Sequence, residues 1–324
     1  MRALITGANG FLGSHLARRL VQTAERVRCL VRPSSDLSQL AGLPVELMYG
    51  DVVAPESLPR ALEECEVVFH LAGIRRAPSR ELFWKVNAEG TRHLCEAMAS
   101  GGGGRLVLCS SLAACGPSAP DRPHTEEDPL RPAEWYGESK AQAEQIAASF
   151  ASQLQVSVAR PPRILGPGDR ENLIFFKLVQ RGVKLSIGGG PRPLSMVDVE
   201  DAAAFLIELG RRPEAAGEAF FVAARGTITA EELQEQAAQH LGVKARTLRI
   251  APAVLRGLAA TADGLSRLSG KHLPLNRKLA EQLLAPAWTC SAQKARARLG
   301  FEAQRTIAQS IRRSAEWYRA KGWL

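Results

Sequence analysis

The run "RALITGANGFLGSHLARRL", residues 2–20, decides how the chain folds. "RALIT" is short and apolar, and "FLGSHLARRL" repeats apolar residues at helical spacing, so a buried strand passes directly into a helix. The turn between them carries Gly7, Gly10 and Gly13. Glycine there lets the turn be tight, lets the backbone approach a pyrophosphate and lets the helix pack close to the sheet. The helix N-terminus adds unpaired N–H groups and the positive end of its dipole. Spaced glycines alone are a weak signal, but between a strand and a helix they predict a dinucleotide cradle built from Gly7, Asn9, Gly10, Phe11, Leu12 and Gly13.

The same alternation recurs through the first 165 residues. "RVRCLV", "VELMYG", "EVVFHLA", "RLVLCSS" and "VSVARP" each have about the length of a buried strand, and helix-like segments such as "FWKVNAEGTRHLCEAMA" separate them. Strands that lack an alternating polar face and are interleaved with helices predict an α/β fold, a doubly wound parallel sheet of Rossmann type. Beyond "GPGDRENLIFFKLVQRG" the pattern loosens, "EAFFVA" reads as one more strand, and residues 224–324 read as mainly helical. The expected division is a nucleotide-binding domain from residues 1–165 and 198–223, and a smaller, mainly helical substrate lobe from 166–197 and 224–324. In the tail, two helical patterns flank a glycine stop, with Ile307, Ile311, Ala315 and Tyr318 on one face.

Composition narrows the function classes. With 324 residues and 45% hydrophobic content, the chain can bury one large core and a smaller lobe. No stretch reads as a signal peptide or a membrane span, so a soluble, cytoplasmic protein is expected. The six cysteines (Cys29, Cys65, Cys95, Cys109, Cys115, Cys290) lack metal-site or redox spacing and read as buried thiols, and no metal is expected. The net charge of +9 is uneven: residues 241–324 hold 16 Lys plus Arg against four acids, +12, which leaves −3 for the first 240. Solvated helix faces account for such an excess as readily as an anionic partner does. No aromatic interleaving points to nucleic acid. "VLRGLAATADGLSRLSGK", residues 254–271, reads as an amphipathic helix that would cover a pocket, a subunit face or a membrane surface without inserting stably.

At the end of the second strand, "CLVRPSSD" places Arg32 nineteen residues after Gly13, followed by Ser34 and Ser35. An acidic residue in this region would bind a ribose 2′-hydroxyl, whereas a guanidinium and hydroxyls suit a 2′-phosphate. Arg32 and Ser35 therefore favour NADP(H), with NAD(H) the alternative. Asp51 and Val52 follow the third strand where adenine would lie, and Leu71, Ala72 and Gly73 close the fourth.

In "EWYGESKAQAE", residues 134–144, Tyr136 and Lys140 are four apart and share a face of what reads as a surface helix. A nearby cation favours ionisation of a phenol whose ordinary pKa is about 10. "LVLCSSLAACG" would set Ser110 and Ser111 at a strand's carboxyl end, where ligands bind in open α/β sheets. With "TGANGFLG", "GDV", "FHLAG", "VNAEGT", "SSLAACG", "YGESK", "ARPPRILGPGD" and "PLSMVDVEDAA" in this order, the chain resembles the extended short-chain dehydrogenase/reductases. It resembles most the members like 3β-hydroxysteroid dehydrogenase and dihydroflavonol reductase. The resemblance implies Ser111 as the catalytic hydroxyl, Tyr136 as acid/base, and Lys140 as the ribose-binding, pKa-lowering cation. It also implies a helix-positioning Asn87 and cofactor contacts at Pro161, Pro162 and Arg163.

The implied reaction is NAD(P)H-dependent interconversion of a ketone and a secondary alcohol on a mostly apolar small molecule. Dehydration is disfavoured because Leu112 and Ala113 stand where dehydratases of this family carry an Asp-Glu pair. A sugar-nucleotide epimerase is the alternative: Arg163 replaces its usual Asn, but Arg192 matches an arginine that grips a diphosphate. A cofactor-sensing scaffold is a further alternative, disfavoured by retention of both Tyr136 and Lys140. Arg75, Arg76, Arg163 and Arg192 are the candidate substrate contacts, and a homodimer is compatible with the resemblance.

Overall fold

The computed structural model describes residues 1–23, 26–188, 190–269 and 276–324. Eleven strands are present among them: β1 (Arg2–Thr6), β2 (Arg26–Val31), β3 (Glu46–Tyr49), β4 (Val67–His70), β5 (Gly104–Cys109), β6 (Leu154–Arg160), β7 (Arg163–Leu165), β8 (Val183–Ile187), β9 (Met196–Asp198), β10 (Ala219–Phe221) and β11 (Arg246–Ile250). Seven of them form one sheet in the order β10-β6-β5-β4-β1-β2-β3, with every neighbouring pair parallel. The expected doubly wound sheet is therefore observed, and its order reverses between β1 and β4, the crevice where such sheets bind ligands.

Helices cover both faces because the strands present apolar side chains on both. On one face, Leu16, Ala17 and Leu20 of the Phe11–Gln22 helix pack with Ala202, Ala203, Phe205 and Leu206 of the Val199–Arg211 helix. On the other, Leu94, Cys95 and Met98 join Ala143 and Ala147. Cys29, Cys95, Cys115 and Cys290 are buried, and all six cysteines are free thiols.

Outside the main sheet the chain forms a second core from Phe176, Val179, Leu233, Ala237, Ile311 and Tyr318. The tail forms the two helices read from the sequence, Gln293–Leu299 and Ile307–Ala320, with Gly300 between them in the left-handed conformation. Two small sheets, β7 with β9 and β8 with β11, have no counterpart in the sequence reading. Each pairs segments far apart in the chain, and β11, "RTLRI", is exposed along most of its length, so no apolar run announced it.

Part of the basic excess is spent internally. Arg313 donates to Asp198 (2.8 Å) and Arg305 to Asp201 (2.9 Å), tying the last helix to the start of the Val199–Arg211 helix. Lys294 pairs with Glu218 and Arg256 with Glu281. The amphipathic run falls on the Pro252–Ser269 helix, which packs through Leu255 and Ala259 and exposes Val254 and Leu258; its last two residues, Gly270 and Lys271, lie outside the described residues. No described helix is long and apolar enough to cross a membrane.

His70, the last residue of β4, links the sheet to its covering helix. Its Nδ1 meets Thr6 Oγ1 at 2.7 Å and its Nε2 meets Thr91 Oγ1 at 3.0 Å. Burial, with a further push from the Lys140 charge, lowers its pKa to about 3. Between about pH 6.5 and about pH 3 the unfolded chain therefore binds a proton that the folded chain does not. Stability falls as pH drops through that window, by up to about 1.4 kcal/mol per unit. Urea unfolding of wild type and His70→Asn at several pH values should show the variant's stability falling less steeply by about that slope; parallel curves would mean that His70 does not titrate on unfolding.

Candidate active site

The glycine turn sits at the switch point. Gly7 has φ +71°, and a Cβ there would lie 2.7 Å from Ala72 N, so the end of β1 and the segment after β4 meet backbone to backbone. A Cβ on Gly13 would overlap the Gly7 carbonyl and lie 2.9 Å from Ala8 Cα. Thr6 Oγ1 accepts the Ala72 N–H at 3.1 Å, and the Leu71 N–H donates to the Thr6 carbonyl at 3.1 Å. These contacts hold Leu71, Ala72 and Gly73 against the turn. The Phe11–Gln22 helix starts at Gly10 without a side-chain cap, which leaves its first N–H groups available to an anion. A cradle with no room for side chains and an uncapped helix start fit a dinucleotide pyrophosphate.

At the adenosine end, Arg32 and Ser35 form a turn: the Ser35 N–H donates to the Arg32 carbonyl (2.9 Å) and Ser35 Oγ accepts the Arg32 N–H (3.2 Å). The exposed Arg32 side chain makes no hydrogen bond or ion pair among the described residues. Asp36 is committed locally, accepting the Ser38 N–H at 2.9 Å, and Asn9 donates to the Asp36 carbonyl at 3.4 Å. Asp51 accepts the Val53 N–H at 3.1 Å, while Val52 is buried against Gly90.

At the catalytic end, β5 delivers two serines with different fates. Ser110 is buried, and its Oγ has no partner among the described residues. Ser111 caps the short turn Leu112–Ala114, its Oγ accepting the Ala113 N–H at 3.1 Å. The Leu112 N–H donates to the Pro161 carbonyl at 3.0 Å, so β6 sets the turn's height.

Tyr136 and Lys140 lie on the Trp135–Ser149 helix. This is not the surface helix expected from the sequence: Gly137, Ser139, Lys140, Ala141 and Ala143 are buried, because the helix lies against β6 and the Gly90–Ser100 helix. Two features fix its first turn. The Glu134 carboxylate accepts the Tyr136 and Gly137 N–H groups, both at 2.7 Å. Gly137 packs on Ala113, where a Cβ would come within 3.0 Å of the Ala113 carbonyl carbon, bringing Tyr136 to the Ser111 turn. Sequence reasoning missed both residues; the available signal was a glycine, a poor helix former, inside a helical pattern.

Asn87 ties this helix to the loop after β4. It accepts the Ile74 N–H (2.8 Å) and donates to the Ile74 carbonyl (3.0 Å) and to Ser139 Oγ (2.9 Å). Glu144 is held by Arg160 at 2.7 Å. Lys140, 4% exposed, makes no hydrogen bond or ion pair among the described residues, and burial lowers its pKa. An ammonium buried without a bonded partner fits a pair of ribose hydroxyls.

Burial raises the pKa of Tyr136, and the strongest opposing influence is the Arg75 guanidinium, aided by the Ser111 hydroxyl. The cation that the phenol feels most is thus Arg75, where the resemblance pointed to Lys140. Among the candidate substrate arginines, Arg75 Cζ lies 5.7 Å from the Tyr136 ring centroid. Arg163 donates to Asn172 Oδ1 (2.8 Å) and stacks over Phe175. Arg76 is exposed and pairs with Glu171 at 2.6 Å. Arg192 donates to the carbonyls of Ile187 and Leu284. Pro161 and Pro162 are buried beneath Arg163 in the chain.

Residues 3–223 match the model of the NAD dependent epimerase/dehydratase family. The chain belongs to that family. This chain is an NAD(P)-dependent oxidoreductase. It is 34% identical over 320 residues to the ceramide reductase of Caulobacter vibrioides, spanning 99% of this chain and 95% of that protein. It is 31% identical to the 2-alkyl-3-oxoalkanoate reductase of Stenotrophomonas maltophilia, spanning 97% and 98%. Among solved structures, that of gox2253 superposes with a TM-score of 0.85 at 28% identity, covering 99% and 98%.

Proposed function

We propose that the protein is an NADP(H)-dependent reductase that interconverts a ketone and a secondary alcohol on a mostly apolar substrate. The observation that carries this reading is the constellation at the carboxyl ends of β5 and β6: the Ser111 turn, Tyr136 pressed against it through Gly137, and Lys140 one helical turn further. Bound in the cradle, the reduced nicotinamide would supply hydride to the carbonyl carbon. Tyr136 gives its phenolic proton to the carbonyl oxygen, and Ser111 donates a hydrogen bond to the same oxygen. Lys140 holds the ribose hydroxyls, and the Arg75 guanidinium favours release of the phenolic proton.

Two relatives support the apolar substrate, since their names specify a ceramide and an alkyl-substituted oxoalkanoate, both dominated by hydrocarbon. The partners of Arg192 favour the reductase over the epimerase, because its guanidinium is already occupied by backbone carbonyls. Arg32, free of protein partners and with no carboxylate at its own turn, supports the 2′-phosphate.

The test is reduction of medium-chain ketones followed by nicotinamide absorbance, with NADPH and NADH compared. NADPH is expected to be favoured in kcat/KM by about tenfold or more, the scale of one charge-assisted contact. Arg32→Asp should reverse that preference; an unchanged ratio would remove Arg32 from phosphate recognition. Absence of ketone reduction with either cofactor would reject the reductase reading.

A further inference from the structure

Of the seven large hydrophobic side chains exposed among the described residues, four (Leu248, Val254, Leu258 and Leu265) fall within residues 248–265, on β11 and the Pro252–Ser269 helix. Such clustering marks an interaction surface, whereas scattered exposed leucines do not. On the helix, Val254, Leu258, Thr261 and Leu265 recur at spacings of four, three and four, so they form one exposed stripe about 17 Å long. The only charged side chains among this helix's described residues, Arg256 and Asp263, are engaged by the Arg277–Leu284 helix: Arg256 bonds Glu281 at 2.8 Å, and Asp263 accepts the Arg277 N–H at 3.2 Å. The stripe is left without charge.

β11 continues the same surface. Alternate residues of a strand share a side, so Arg246 and Leu248 lie on the side of Ile250, which packs against the cluster of Leu255, Ala259 and Ala280. Cations gather at the amino end of the β8–β11 sheet, where the Arg246 N–H donates to the Gly182 carbonyl at 2.8 Å, between Arg181 and Lys244 in the neighbouring chain. Arg181, Lys244, Arg246 and Arg249 are exposed, and none makes a side-chain hydrogen bond or ion pair among the described residues. Residues 172–197 and 241–262, which contain both strands, hold no acid, and Glu235 of the adjoining helix is taken by Lys184.

We propose that this face docks on an anionic lipid bilayer, with the helix stripe and Leu248 at the headgroup boundary and the four cations against lipid phosphates. Charge selects this occupant over a second copy of the chain, because a two-fold contact through the same face would set the cations against their own images. The docked helices adjoin the catalytic one: Lys278 Nζ lies 4.0 Å from the ring centroid of Trp135, the residue before Tyr136. Docking therefore brings the Tyr136 helix close to the phase in which an apolar substrate dissolves. That consequence rests on the reductase reading; the docking itself does not.

The test is co-sedimentation of the full-length protein with vesicles of phosphatidylcholine, alone or mixed with phosphatidylglycerol. The wild type is expected to bind the mixed vesicles and not the neutral ones, less tightly as salt is raised. Leu258→Asp alters an exposed side chain and should lower the partition coefficient about tenfold, the scale of one leucine's burial. Arg181→Ser combined with Arg246→Ser should lower it about thirtyfold. Arg26→Ser combined with Arg60→Ser removes the same charge from exposed positions on β2 and beside it, and should lower it by less than about threefold.

Failure of the wild type to bind mixed vesicles overturns the proposal. Equal losses in the two charge variants also overturn it, since they would mark adsorption by net charge alone. A dimer seen by light scattering that Leu258→Asp dissolves would give the face to a second copy instead. None of these readouts involves turnover, so failure of the docking and failure of the reductase reading are told apart.

Discussion

Tyr136→Phe is expected to lower kcat by about 10² to 10⁴, the usual worth of a positioned proton donor, with dinucleotide affinity within about threefold of wild type. The substitution removes one oxygen and leaves the packing. The ring keeps its contact with Phe83 (centroids 6.4 Å apart), and the helix start keeps the Glu134 cap, which bonds backbone rather than the phenol. Lys140 and the glycine cradle remain, so cofactor binding persists. The phenol is poised by opposing influences: burial favours its neutral, proton-bearing form, while Arg75 and Ser111 favour release of the proton. Phenylalanine has no proton to give. Steady-state kinetics with calorimetric cofactor binding would check this, and an unaltered kcat would exclude Tyr136 as the proton donor.

Gly13→Ala is expected to abolish dinucleotide binding at millimolar concentration and to lower apo stability by about 1–3 kcal/mol, the cost of overpacking a close contact. The added methyl would overlap the Gly7 carbonyl and press on Ala8 Cα at 2.9 Å. Neither neighbour is a flexible side chain that can swing aside, so the helix start must move off the turn. The pyrophosphate would then lose both the shape of the cradle and the aligned N–H groups. Thermal unfolding with and without NADPH measures both effects. A variant that keeps the full cofactor-induced rise in Tm would show that the approach of this helix to the turn does not shape the site.

The chemistry-bearing residues were legible one at a time, and their relations were not. The glycine turn could be read because its requirement is local: a strand, three glycines and a helix within residues 2–22. The Tyr136 and Lys140 pair was legible through helical spacing. The burial of that helix was hidden, because its contacts come from β6 and the Gly90–Ser100 helix rather than from its own sequence. Gly137 went unnoticed for a related reason, since its partner Ala113 is 24 positions away and only folding brings the two together. The partners of the four candidate arginines were not legible in sequence. Folding sorted them, giving Arg76 to Glu171, Arg192 to two carbonyls and Arg163 to Asn172, and leaving Arg75 over the Tyr136 ring.

By itself, the amino-acid sequence determined the parallel sheet, the glycine turn at its centre and the placing of Tyr136 and Lys140 one helical turn apart, because period, turn chemistry and helical spacing act over a few residues. Tertiary structure alone decided which arginine lies over the phenol, which partners the other candidate arginines take and how β8 and β11 meet. Those outcomes depend on burial and on charges that approach one another only after the chain has closed on itself.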